Sequence, residues 1–160
     1  MTNTPDTHVM AQRPRWRLFL RVLAARLDAV LDADQRDALL RDVGADMARG
    51  AALPPVSTLD ALEDEINEVL SDLGWGRASL ALDEAARVLS IVHTHLPTIG
   101  SIEGRRGPWL SAVLEGLYTS WLAQQPHAAP GLVARRTARR TKDVLVLTYG
   151  KASAMTDSPS

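Results

Sequence analysis

An α+β domain is predicted by three features of this 160-residue chain. Apolar stripes of helical period run through the first half as far as Leu73, two segments of alternating period follow, each doubling back through a turn, and one long apolar helix lies between them. Four strands in antiparallel pairs, packed with the helices on one face, then form a single domain over residues 15–150. A flexible arm over 1–14 and a disordered tail over 151–160 flank it, both polar and without periodicity.

The first helix begins after Pro14, with Trp16, Phe19, Leu20, Leu23, Leu27, Val30 and Leu31 as its apolar stripe. The second runs from about Asp34 to Arg49, capped by Asp32 or Asp34 and stopped near Gly50, with Leu39, Leu40, Val43 and Met47 turned inward. After the stiff Leu53-Pro54-Pro55-Val56 connector, Ser57 or Thr58 caps a third helix over Leu59–Leu73. Its stripe is Leu59, Leu62, Ile66, Val69, Leu70 and Leu73, and its acidic first half suits the helix dipole. Gly74-Trp75-Gly76 ends the helical period. Strands over 78–82 and 88–93, turning at 83–86, form a hairpin, and 97–108 is a long loop with three glycines. The final helix, 109–125, carries a dense stripe from Trp109 to Leu122, wide enough for a core on one side and a partner chain on the other. Strands over 132–138 and 144–149, joined by an Arg-rich turn, close the domain.

Composition removes whole classes of chemistry. With no cysteine there is no disulfide, thiolate metal site or cysteine nucleophile. The 18 basic and 19 acidic residues nearly cancel, which argues against broad electrostatic capture of nucleic acid or an anionic membrane. The first apolar run is broken by Arg21, Arg26 and Asp28, so neither a secretory signal nor a membrane span is read, and the chain is expected in the cytoplasm.

The candidate reactive groups are sparse. His93 and His95, two apart on a strand, would share a face and begin a metal or small-ligand site, but a third ligand requires the fold to bring in Glu103 or His127. Acidic residues collect on the second and third helices, where solvation or dipole pairing accounts for them better than a catalytic pair. Ser111 and Ser120 lack a nucleophile elbow, and Gly100, Gly104 and Gly107 do not make a phosphate loop. Arg135, Arg136, Arg139, Arg140 and Lys142 form the one basic cluster, with only Tyr149 near enough to stack a base, so it reads as a solvated turn or edge guard. Among the aromatics, Trp75 and Trp121 read as core, and Trp109, following the glycine loop, as the most exposed. No enzyme and no cofactor is expected. Four helices with wide stripes and a small sheet leave apolar surface that a closed oligomer would bury.

Several stretches in order resemble one family: Leu39-Leu40-Arg41-Asp42-Val43-Gly44, Pro54-Pro55, Leu73-Gly74-Trp75-Gly76, Ile91-Val92-His93, Leu96-Pro97 with Gly100-Ser101, and Trp109-Leu110 followed by Val113-Leu114-Glu115-Gly116-Leu117-Tyr118 and Trp121. Together they resemble the D subunit of bacterial cellulose synthase, over about Trp16 to Tyr149. The resemblance implies a non-enzymatic accessory protein forming an octameric ring, a tetramer of dimers, with passages inside. It implies partnership with the cellulose synthase complex, a protein of the cellulose operon and glucan chains. By position, Ala11, Gln12 and Arg13 match the glucan-facing segment, and Trp16, Phe19, Trp109, Val113 and Leu117 are candidates for oligomer contacts. The missing export signal favours a cytoplasmic scaffold at the inner membrane, with a periplasmic glucan channel as the alternative.

Overall fold

The computed structural model describes residues 15–97, 109–141 and 143–152. The arm with Ala11, Gln12 and Arg13, the residues Glu103 and Lys142, the side chains of Arg139 and Arg140, and the tail from Ser153 lie outside the described residues.

Local chemistry sets most of the helix ends. Helix α1 (Arg17–Val30) passes through Leu31 and Asp32 directly into α2 (Ala33–Gly50). Asp32 caps α2: its Oδ1 accepts from the Gln35 N–H at 2.8 Å, and the Gln35 side chain accepts from the Asp32 N–H at 3.1 Å, a reciprocal capping box. Thr58 Oγ1 accepts from the Ala61 N–H at 3.1 Å and starts α3 (Leu59–Leu73), which ends on Gly74 with φ of 68°, a left-handed conformation natural to glycine.

Strands β1 (Arg77–Asp83) and β2 (Val88–Thr94) form the first hairpin, α4 (Trp109–Ala123) crosses over, and β3 (Leu132–Thr141) and β4 (Val144–Lys151) form the second. The sheet is antiparallel throughout, in the order β1-β2-β4-β3, so the two hairpins join through β2 and β4. Strand β3 runs on to Thr141, into the segment read as an Arg-rich turn, with a register shift between Arg136 and Arg140. The inner face carries Ala78, Leu80, Leu89, Ile91, Ala134, Leu145 and Leu147 against α3 and α4.

Helix α4 is the centre of the molecule. Twelve of its 15 residues are buried, on every side, between the sheet and α2. The width of its stripe therefore serves two neighbours within the chain, rather than a core and a partner. Trp109, expected at the surface, is 6% exposed.

Helix α2 is turned relative to the face that its apolar residues suggest. Arg36, Leu40, Gly44 and Ala48 point inward, while Leu39 and Val43 are exposed. Gly44 and Gly116 explain the rotation. A Cβ on Gly44 would overlap the Val113 carbonyl oxygen and lie 2.7 Å from the Leu117 nitrogen, and one on Gly116 would overlap the Arg41 carbonyl. The two backbones touch where neither helix has a side chain. Leu39 and Val43 are too large for that line of contact.

Because both obstructing groups are backbone, they cannot swing aside. Gly44→Ala and Gly116→Ala are each expected to lower stability by about 2 kcal/mol or more. Gly50→Ala, at the last helical residue with open space around it, should be neutral or slightly stabilising. Urea denaturation midpoints check the contrast.

Candidate functional site

Helix α1 has the least support from its own chain. Ala24 is its one fully buried residue, and Ala24 and Leu27 rest on a cluster of Leu40, Trp109, Leu110, Ala112 and Val113. Trp16 is 59% exposed, Phe19 57% and Val30 73%, and Leu18, Leu20, Val22 and Leu23 are exposed as well. The Trp16 and Phe19 rings meet edge to face with centroids 6.0 Å apart. Arg17, Arg21 and Arg26 flank the outward residues and are exposed. Of the five candidate contact residues, Trp16 and Phe19 face outward. Trp109 and Val113 form part of the floor beneath α1, and Leu117 lies in the main core, so these three cannot present themselves to a partner.

A chain of charged groups holds the base of α1 to the rest of the molecule. Fully buried Arg36 pairs with Asp28 of α1 at 3.3 Å and with Asp37 at 3.0 Å. Asp37 in turn binds Arg136 of β3. The Arg136 Nη1 donates to Ser111 Oγ at 2.7 Å, and its Nε lies 3.7 Å from Glu115 Oε1. Glu115, 1% exposed, also takes Arg41 Nη2 at 3.5 Å and the Arg136 backbone N–H at 3.1 Å. Four elements are thus tied by ions and hydrogen bonds. The basic cluster expected at a solvated hairpin tip is broken accordingly, since Arg136 is drawn inward by two carboxylates. One sequence signal marked this site: Glu115 is the sole charged residue of an otherwise apolar helix, and a buried carboxylate requires partners.

Both free edges of the sheet are occupied by helix side chains. On β1, Asn67 accepts from the Ala78 N–H and donates to its carbonyl, both at 2.8 Å, and Glu63 accepts from the Leu80 N–H at 2.7 Å. On β3, Thr119 Oγ1 accepts from the Ala134 N–H at 2.8 Å and Glu115 from Arg136. Edges treated this way resist the addition of another strand.

The histidine pair is separated. His93 is buried, with Nε2 donating to the Trp75 carbonyl at 2.6 Å and Nδ1 accepting from the Tyr118 hydroxyl at 2.7 Å. Burial pushes the Tyr118 pKa up, which keeps its hydroxyl protonated as that donor. His95 lies beyond the end of β2 with φ of 58°, so the strand alternation that would align the two rings is lost. With both nitrogens of His93 engaged, the metal or small-ligand reading built on the pair is withdrawn. Among the described residues no group of three His, Asp or Glu is placed to hold a metal ion. A cleft of about 730 Å³ opens between Pro55–Leu62 and the end of α4, with Leu122, His127 and Tyr149 in its lining.

The described residues form an α+β body with one helix that turns large apolar side chains outward. The chain belongs to the family of cellulose synthase D subunits, whose family model matches residues 6–150. It is 38% identical over 128 residues to a cellulose synthase operon protein D of Komagataeibacter xylinus, covering 80% of this chain and 82% of that one. It is also 37% identical over 124 residues to such a protein of Komagataeibacter sucrofermentans, covering 78% of this chain and 80% of that one.

Two outcomes test this geometry. Glu115→Ala leaves Arg41 without its carboxylate, leaves Arg136 to Asp37 and Ser111, and uncovers an edge N–H of β3, so a loss of about 1–3 kcal/mol is expected. Asp46→Ala, which breaks the exposed Arg49–Asp46 pair, should change stability by no more than about 0.5 kcal/mol in urea titrations. The second concerns pH. Burial, opposed by the bond to the Trp75 carbonyl, lowers the His93 pKa below 6.5. The unfolded chain then takes up a proton that the folded chain refuses, so this contribution is complete above about pH 6.5 and declines as pH falls below it. The urea midpoint of the native chain should drop between about pH 7 and pH 5.5. In His93→Gln the drop should be smaller, and an identical pH profile for the two chains would refute the assignment.

Proposed function

We propose that this chain is a non-catalytic accessory subunit of bacterial cellulose synthesis that assembles into an octameric ring, a tetramer of dimers. As a family member it has a role in cellulose synthesis, in association with the synthesis machinery. The ring organises synthase complexes, or the glucan chains leaving them, so that crystalline cellulose is laid down. Shape and symmetry perform that task, and no reacting group is required of the subunit.

The observation that supports assembly is the outward face of α1. Large apolar residues on nearly every side of one helix exceed what a soluble monomer ordinarily exposes, and the blocked sheet edges direct association to that helix. Among the described residues no helix is long and apolar enough to cross a membrane. We place the ring in the cytoplasm at the inner membrane, held to the synthase complex by a partner protein of the cellulose operon. If glucan touches the chain, Ala11, Gln12 and Arg13 just ahead of α1 are the residues assigned to it.

Light scattering is expected to give a particle of eight chains, and a stable monomer at micromolar concentration would refute the ring. The double variant Trp16→Asp/Phe19→Asp should fall to a smaller species while keeping the circular dichroism of the native chain. In cells, deletion should leave glucan synthesis running but yield poorly ordered cellulose. Loss of all polymerisation would contradict an organising role.

A further inference from the structure

Which face of a second copy receives α1 can be argued from pattern and charge. Helices α1 and α2 are consecutive, joined by Leu31 and Asp32. On the exposed side of α2, Leu39 and Val43 stand four residues apart, with Asp42 and Asp46 at the same spacing beside them. On α1 the exposed Leu18 and Val22 repeat that spacing, with Arg17 and Arg21 beside them. Residues four apart form one ridge of a helix. The two helices therefore carry apolar ridges of equal pitch, one with a basic margin and one with an acidic margin. Arg17, Arg21 and Asp42 have no ion-pair partner among the described residues, and Asp46 holds only exposed Arg49.

We propose that α1 of one copy packs on α2 of a second copy, and reciprocally, about a two-fold axis. This rests on the assembly reading above and names its dimer contact. The Leu18–Val22 ridge lies along Leu39–Val43 of the second copy, with Arg17 and Arg21 opposite Asp42 and Asp46. Reciprocity is inherent in a two-fold contact, where each residue pair occurs twice. Leu18, Val22, Leu39 and Val43 are large apolar side chains that one chain alone leaves at its surface and that this contact covers.

Reciprocal charge reversal tests the contact by sedimentation. One chain carries Arg17→Glu and Arg21→Glu, the other Asp42→Lys and Asp46→Lys, all at exposed positions. Each chain alone places like charges across both halves of the contact and should sediment as a smaller particle than the native chain. Mixed in equal amounts, they restore opposite charges in both halves of a mixed contact and should recover the native mass. Native mass in either chain alone, or no recovery in the mixture, would overturn the proposed contact while leaving the ring intact. A native chain that is itself monomeric would overturn the ring first. An apolar helix with basic margins also suits an anionic bilayer. Flotation of the native chain with phosphatidylglycerol vesicles, together with unchanged mass in both reversed chains, would assign α1 to the lipid surface instead. Because the chain has no native cysteine, Val22→Cys and Val43→Cys chains supply a second readout. A disulfide should form in their mixture and in neither chain alone, and its absence from the oxidised mixture would count against the contact.

Discussion

Helices α2 and α4 meet backbone to backbone at Gly44 and Gly116, and the rest of the architecture is arranged around that approach. Because no side chain separates them there, α2 must present its narrow line of Arg36, Leu40, Gly44 and Ala48 inward. Leu39 and Val43 are thereby carried to the surface. The same approach leaves α4 enclosed between α2 and the sheet, which accounts for its apolar character on every side. A methyl group on either glycine would push apart the two layers on which everything else rests.

The enclosed helix carries one carboxylate, and its charge is met from two neighbouring elements. Arg41 reaches Glu115 from α2, and Arg136 reaches it from β3 through both guanidinium and backbone. The network continues through Asp37 and Arg36 to Asp28, so the base of α1 is linked to the edge of the sheet. Buried ions of this kind add little net stability, but they penalise any packing that leaves one partner alone. Here they select one seating of α1 and one register for β3. The apolar contacts beneath α1 are few, so much of the helix remains available to another chain.

The position of every helix and strand was legible in residue order, because period and punctuation are local. Asp32, Thr58 and Gly74 mark helix ends by chemistry that needs no distant partner. Trp16 and Phe19, read as part of the first helix's apolar stripe, stand at the surface. The errors fell where long-range packing decides exposure. Trp109 follows a glycine-rich segment, yet it is buried in the cluster shared by α1, α2 and α4. Arg136 belongs to a basic run, yet it turns toward carboxylates far away in sequence. His93 and His95 share a strand parity on paper, but the strand ends between them.

Residue order alone was enough for an α+β domain without cysteine chemistry, and its ordered motifs carried the resemblance to the cellulose synthase D subunits. Periodicity and capping are properties of neighbouring residues, and motif order is a property of the chain. The outward face of α2, the arginine that turns inward and the closure of the sheet edges were settled only by packing in three dimensions. Those outcomes depend on how closely two backbones approach and on which buried charge finds a partner. Neither is defined until helices distant in sequence have packed together.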